Sequence, residues 1–341
     1  MPTLAEIAAE AGVSEATVSR VLNSKPGVSD TTRQSVVFAL DVLGYERPRE
    51  LRRRSAGLVG LVVPELENPI FPAFAQVIED GLARRRFTPV LCTQSPGGIS
   101  EDEYVESLLD HGVAGIVFVS GKHADRGADY DRYRALIARR MPVVFINGYV
   151  EGLAAPFFST DDRAAVGIAV SHLAELGHHT IGLAIGPARF VPSHNKREGF
   201  VEALRDELEL SEGEARGWIA EGLFTVEGGA AAARVLIERG ATAIVCGSDM
   251  MALGAIRAVR DAGLSVPGDV SIVGFDDSRL LPFLDPPLTT MRQPVGDMAM
   301  QAVDALCSAI AGQPLPSHDY LFKPELVLRA STGRAPARAE P

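Results

Sequence analysis

Within "GVSEATVSRVLN", the stretch from Gly12 to Asn23, the residues Glu15, Ala16 and Arg20 have types and spacings that suit recognition chemistry. On a helix they fall on the outward side while Val18, Val21 and Leu22 turn inward. Such a trio matches base edges in a DNA major groove. Arg20 can donate twice to guanine O6 and N7, Ala16 can meet a thymine methyl, and Glu15 can accept from cytosine N4. Around them, Thr3, Ser14, Thr17, Ser19 and Asn23 suit phosphate contacts that fix register.

Three short helices must hold these side chains. Thr3 and Glu6 have capping-box spacing, which predicts a helix from Leu4 with Leu4, Ile7, Ala8 and Ala11 as its apolar stripe and Gly12 as its stop. Ser14 caps a second helix. After a polar turn over 23–27, Ser29 caps a third, whose buried face is Val36, Val37, Leu40 and Leu43 before Gly44. This is the helix-turn-helix plan for residues 1–45. A small helical bundle with merely solvated polar residues fits the same pattern.

The charge is unevenly placed. Of 33 basic and 44 acidic residues, 8 and 7 fall in positions 1–57, leaving 25 and 37 for the remainder. DNA phosphates repel an acidic body, so contact with DNA falls to the head and to "RPRELRRR" (Arg47 to Arg54), where five arginines face Glu50 alone.

From Leu58 onward, apolar strands alternate with amphipathic helices. "LVGLVV", "PVLCTQ", "GIVFVS" and "PVVFIN" read as strands of a parallel sheet covered on both sides, with helices over 72–86, 101–111 and 129–140. The alternation recurs with a helix over 162–176, "TIGLAI", a helix over 196–209, "GWIAEGLF", a helix over 227–239, "AIVCGS", a helix over 249–262 and "SIVGF". The expected fold class is therefore a three-helix helix-turn-helix head plus an α/β body of two doubly wound parallel-sheet lobes. Ligands of such sheets bind beyond the carboxyl ends of the strands. That rule singles out "ENPIF" (Glu67 to Phe71), Asn147, Phe158, "SHNKREGF" (Ser193 to Phe200), Phe224, "GSDM" (Gly247 to Met250) and "GFDDS" (Gly274 to Ser278). Their aromatic faces, amides and carboxylates suit a polyhydroxylated ligand. A strand-end carboxylate also commonly caps the next helix, the expected role of Asp162 and Asp249, whereas Asp276 and Arg197 are expected to face ligand.

"TLAEIAAEAGVSEATVSRVLNSKPGVSDTTRQSV" followed by "LGY" resembles the head of the LacI/GalR family of bacterial regulators, which includes the lac and purine repressors. The likeness continues through "NPIF", "GHHTIG", "KREGF", "SDMMALGAIRA", "VSIVGFDD" and "PPLTTMRQP". It implies a body like periplasmic binding proteins, base reading by Glu15, Ala16 and Arg20, and effector contacts at Asn68, Phe71, Asn147, Phe158, Arg197, Phe224, Ser248 and Asp276. Members often carry asparagine at the position of Ser248. The resemblance also implies a hinge over 46–57 that enters the minor groove with a leucine wedge. Here only 14 residues separate Tyr45 from Gly60, about three fewer than typical members. Leu51 is the only apolar candidate, and Arg52, Arg53 and Arg54 suit a narrow minor groove. The expected boundaries are a first lobe of 58–158 and 287–315, a second of 159–286 and 316–330, and a disordered tail over 331–341. "GISEDEYVESLLDHGVAGIVFVSG" is similar to actinobacterial regulators of maltose and maltodextrin use, which implies an α-glucoside effector.

The expected partners are thus a pseudo-palindromic double-stranded operator, a sugar, and a second copy of the chain joined through the helix bearing Phe74 and Ile78. Relief of repression by the sugar is the expected sign, with corepression as the alternative. A sugar-carrying transport protein would need an export signal, and the first residues lack its basic and apolar regions. No apolar run approaches the roughly 18 residues of a membrane span, so a cytoplasmic, nucleoid-associated protein is expected. No Walker loop, G-x-G-x-x-G, nucleophile elbow or metal-spaced cluster points to an enzyme or a cofactor. His178 and His179 follow a helix-ending Gly177 and are expected to satisfy terminal carbonyls. Cys92, Cys246 and Cys307 read as reduced, buried thiols.

Overall fold

The computed structural model describes residues 3–23, 25–45, 55–94, 97–314 and 317–337. The expected minor-groove residues Leu51, Arg52, Arg53 and Arg54 lie outside them. The chain divides into two compact units, Met1–Ala56 and Gly57–Pro341.

The first unit holds α1 (Leu4–Ala11), α2 (Glu15–Leu22) and α3 (Asp30–Val42). Thr3 and Glu6 form the reciprocal cap of α1, and Gly12 ends it at φ 64°. Ser14 and Ser29 cap α2 and α3 through the amides of Thr17 and Thr32. Ile7, Ala8, Val18, Val21, Val36, Ala39 and Leu40 form the core. Leu4, expected in the stripe, is 41% exposed because it lies on the first turn, above that core.

The second unit contains two six-stranded sheets. The first is ordered β11-β5-β4-β3-β1-β2, from β1 (Gly57–Val63), β2 (Phe87–Thr93), β3 (Gly115–Val119), β4 (Val143–Ile146), β5 (Phe157–Thr160) and β11 (Asp319–Phe322). Every neighbouring pair in it is parallel. Helices α4 (Ile70–Arg84), α5 (Glu101–Asp110), α6 (Asp131–Ala138) and α12 (Val295–Ile310) cover its faces. The second sheet is ordered β12-β10-β9-β8-β6-β7, from β6 (Ile181–Ile185), β7 (Ile219–Glu221), β8 (Ala243–Cys246), β9 (Ser271–Asp276), β10 (Thr289–Arg292) and an antiparallel edge, β12 (Glu325–Val327). Around it lie α7 (Asp162–Glu175), α8 (Val191–Leu208), α9 (Glu212–Gly217), α10 (Val226–Glu238) and α11 (Asp249–Asp261). Central strands are buried throughout, as their unbroken apolar runs require. Helices α10 and α11 cross backbone against backbone. A Cβ on Gly254 would stand 1.9 Å from the Val226 carbonyl oxygen, so only glycine fits there.

Three expectations need correction. β10 belongs to the second sheet and β11 to the first, so the chain crosses between lobes after Thr160, near Gln293 and near Lys323 rather than near 287 and 315. Residues 331–335, expected to be disordered, are tied to the second lobe by hydroxyls and histidines. Ser331 Oγ donates to the Ile272 carbonyl at 2.6 Å, and the Gly333 and Ala335 amides donate to Ser271 Oγ and to the Leu176 carbonyl. His178 takes part in that tie, lying 2.9 Å from Thr242 Oγ1 and 3.1 Å from the Gly333 carbonyl, instead of capping a helix. Phe74 and Ile78 themselves are wholly buried and point toward the sheet, while the opposite face of α4, with Gln76 and Glu79, is exposed. Cys92 and Cys246 are buried and Cys307 half-buried, all as free thiols.

The first lobe also buries a histidine. His123 is fully enclosed, its ring 4.9 Å from Phe145, and its Nε2 is 3.2 Å from the Ile146 carbonyl. Burial lowers its pKa to about 4, so the ring is neutral in the fold. A histidine freed by unfolding takes up its proton near pH 6.5, and this contribution is therefore lost as pH falls from about 6.5 to 4, by up to roughly 3 kcal/mol. Urea unfolding of the wild type and His123→Phe at pH 7.0, 5.5 and 4.5 isolates it. The stability of the wild type relative to the variant should fall steadily with acidification; a pH-independent difference contradicts the assignment.

Candidate effector pocket and DNA-facing surface

On the head, Glu15, Ala16 and Arg20 are exposed, as their helical spacing requires. The Arg20 guanidinium donates to the Pro26 carbonyl at 2.7 Å, which holds it against the turn that follows α2. Ser14 Oγ lies 2.9 Å from Thr17 Oγ1, and Asn23 donates to the Ser19 carbonyl at 2.8 Å. Ser14, Thr17, Ser19 and Asn23 therefore shape the two ends of α2, which carries Glu15, Ala16 and Arg20, while Thr3 caps α1.

In the body, the ends of strands from both sheets converge on a cavity of about 230 Å³. It brings together Asn68, Phe71, Asn147, Phe224, Ser248 and Asp276, six of the eight residues singled out from the sequence. Three polar strand-end residues here have backbones in the left-handed region: Ser120 at φ 46°, Asn147 at φ 60° and Asp276 at φ 123°. Strain of this kind in non-glycine residues concentrates at functional sites, where it aims side chains that ordinary geometry would turn elsewhere. On the far wall, Gly186 admits the Phe224 ring so closely that a Cβ would stand 2.2 Å from Cε2.

Arg197 and Phe158 are not in the cavity. Arg197 pairs with Glu221 at 2.9 Å on the outside of α8, while its neighbour Lys196 lines the pocket, 5% exposed. One residue along a helix rotates a side chain by about 100°, so the inward face runs through Ser193, Lys196 and Phe200. That i, i+3, i+7 spacing was the available signal. Phe158 points into the first lobe, stacked on Tyr320 at 5.2 Å. Two adjacent phenylalanines in β5 face opposite sides of the sheet, and neither side is polar enough to mark it from sequence.

The carboxylates also depart from their expected roles. Asp161 caps α7, leaving Asp162 to line the pocket and pair with the Lys196 ammonium. The same ammonium lies 3.7 Å from the Phe275 ring centroid. Ser248 caps α11, and Asp249 instead accepts from the Ser278 amide at 2.8 Å and from Thr290 Oγ1 at 2.7 Å. Burial pushes the Asp249 carboxyl up to about 7, and burial together with the neighbouring Asp249 raises Asp276 well above the ordinary range. Asp276 accepts from Gln293 Nε2 at 2.6 Å, and Gln293 Oε1 accepts from Thr160 Oγ1 at 2.8 Å, which joins the pocket floor to the crossings between lobes. Glu65, Phe190 and Gln293 also line the cavity and were not singled out from the sequence. One cation, already paired, among several acceptors and aromatic rings is chemistry for a neutral, hydroxyl-rich ligand. Among the described residues, no cluster of three or more metal-ligating side chains is present, and no helix is long and apolar enough to cross a membrane.

Residues 3–48 match the model of bacterial regulatory proteins of the lacI family, and residues 170–332 match a periplasmic binding protein-like domain. The HTH-type transcriptional regulator MalR of Streptomyces coelicolor is 61% identical over 334 residues, covering 98% of this chain and 97% of that protein. The ribose operon repressor of Halalkalibacterium halodurans is 31% identical over 338 residues, with 97% of each covered. Among solved structures, a transcriptional regulator CelR–cellobiose complex is similar at 30% identity and a TM-score of 0.71, covering 97% of this chain and 100% of that one. The lac repressor dimer bound to operator and the anti-inducer ONPF is similar at 26% identity and a TM-score of 0.70, covering 97% and 99%. These relatives are regulators rather than enzymes. With a helix-turn-helix head and a two-lobed ligand-binding body, the chain belongs to the LacI family of bacterial DNA-binding transcriptional regulators.

Proposed function

We propose that the protein is a dimeric repressor of carbohydrate-utilisation genes that leaves a pseudo-palindromic operator when a sugar, an α-glucoside such as maltose, enters the cavity between the lobes. The observation that carries this reading is the cavity itself, where aromatic rings stand beside strained polar strand ends and the single Lys196 cation is neutralised by Asp162. The similarity to MalR supports the α-glucoside. A hinge over 46–57 that inserts Leu51 or Arg52 to Arg54 into the minor groove belongs to the same proposal, as does a cytoplasmic, nucleoid-associated location. Sugar and operator then oppose each other by linkage: whatever weakens DNA binding binds less tightly to the DNA-bound form.

A second copy is needed because two heads read two half-sites about one helical turn apart. Leu280 and Phe283, 66% and 85% exposed on the turn after β9, form an apolar surface suited to that copy.

Three outcomes test the proposal. Arg20→Ala should cost roughly 1–3 kcal/mol of operator affinity and relax preference at one base pair, measured by fluorescence anisotropy on operator variants. Equal loss on every DNA sequence would reduce Arg20 to a phosphate contact. Lys196→Gln should weaken maltose binding at least about tenfold in calorimetry, while Arg197→Ala stays near wild type, because a buried hydrogen-bonded cation contributes on the order of 1.5–3 kcal/mol. Absence of any maltose response in the wild type removes the α-glucoside. Phe283→Asp should shift the protein toward monomer in sedimentation and weaken operator binding with it; an unchanged dimer places the interface elsewhere.

A further inference from the structure

A second cleft of about 360 Å³ also lies between the lobes, on the other side of a short bridge from the first. In that bridge, Asp125 pairs with Phe190 as an isolated antiparallel contact, and the Arg126 amide donates to the Arg189 carbonyl at 2.9 Å. The Arg189 guanidinium lies 3.3 Å from the Asp125 carboxylate and 4.9 Å from the Phe190 ring. Ala124 and Phe190 face the first cavity, whereas Arg126 and Val191, one or two residues further along the chain, face the second. The two cavities therefore share one bridge between lobes.

The walls of the second cleft come from both lobes. Tyr130, Tyr149, Glu151 and Asp319 belong to the first and His194 to α8 of the second. Tyr149 is 40% exposed and rests edge-on against Phe157 at 5.2 Å, so its ring is braced from behind and open in front. Asp319 lines the cleft with a largely buried carboxyl whose neighbour is the Ser159 hydroxyl. Burial and the nearby Arg126 lower the His194 pKa, which keeps that ring neutral. Two carboxylates against one guanidinium disfavour an anion. Two tyrosine rings with acceptors at the edge favour a pyranose, whose C–H face stacks while its hydroxyls donate.

We propose that this second cleft, on the far side of the Asp125–Phe190 bridge, is a separate binding site for a neutral monosaccharide. A sugar touching both walls stabilises the joined lobes. By reciprocity it then tightens whatever the first cavity holds in that arrangement. The cleft thus acts as a co-effector site, and in that coupling alone it rests on the effector reading given above.

Ligand-observed NMR with D-glucose on the full chain tests the site. The expected result is glucose binding that one equivalent of maltose per chain leaves in place, and that Tyr149→Ala and Glu151→Gln each weaken at least about tenfold. Neither residue lines the first cavity, and both are exposed, so both variants should fold. Saturating D-glucose should also tighten maltose binding by about fivefold or more in calorimetry. The proposal is overturned by no glucose binding, by binding that both variants leave unchanged, or by complete displacement with one equivalent of maltose. If maltose itself fails to bind, the α-glucoside reading falls, and the comparison of wild type with the two variants still decides this one.

Discussion

Three passages of chain join the two sheets, and the hydrogen-bonded series Thr160–Gln293–Asp276 runs through two of them. The rest of the body depends on this join. Each lobe has its own buried core and packs as a rigid piece, so relative motion is concentrated where few residues pass between them. Because Asp276 is both the end of that series and part of the cavity wall, a ligand that competes for its carboxylate also acts on Gln293, a residue of the crossing itself. The coupling between cavity and lobe arrangement then needs no long path through the protein.

Regulation requires the ligand to distinguish two arrangements, since equal affinity for both shifts nothing. Several features of the body provide such a difference. The cavity draws its walls from both lobes, and the Asp125–Phe190 bridge joins one lobe to the other beside it. An arrangement that separates the lobes loses the bridge and divides the polar wall, whereas the cores of the lobes are untouched.

Much of this was legible in the sequence. Strands such as Ile116–Val119 and Ile244–Cys246 are apolar without interruption because helices cover both faces, and the caps at Thr3, Ser14 and Ser29 mark helix starts by chemistry. The strand-end rule located Asn147, Ser248 and Asp276 within the cavity. It failed where direction is set by one residue of register. Lys196 and Arg197 are both cationic, and Asp161 and Asp162 are both acidic, so composition alone gives no means of choosing between neighbours that point opposite ways. The short strands Thr289–Arg292 and Asp319–Phe322 were assigned to the wrong lobes because pairing partners distant in sequence leave no local pattern. The order of the segment after Ser331 arises from hydroxyls and two histidines, His172 and His178, more than 60 residues away in the chain, which resemble loop composition when read locally.

The seat of Phe224 against Gly186 has a consequence for how such a cavity diversifies. With the ring laid on bare backbone, the wall behind it has no side chain that can give way, so the depth of the cavity there is set by residue 224 alone. Exchange of that one aromatic for a smaller or more polar residue changes the room available to a ligand without disturbing a sheet, a helix or a crossing. Substitution at Gly186 displaces the ring and the backbone together. Position 224 can therefore change alone, whereas any side chain at Gly186 moves the ring with it.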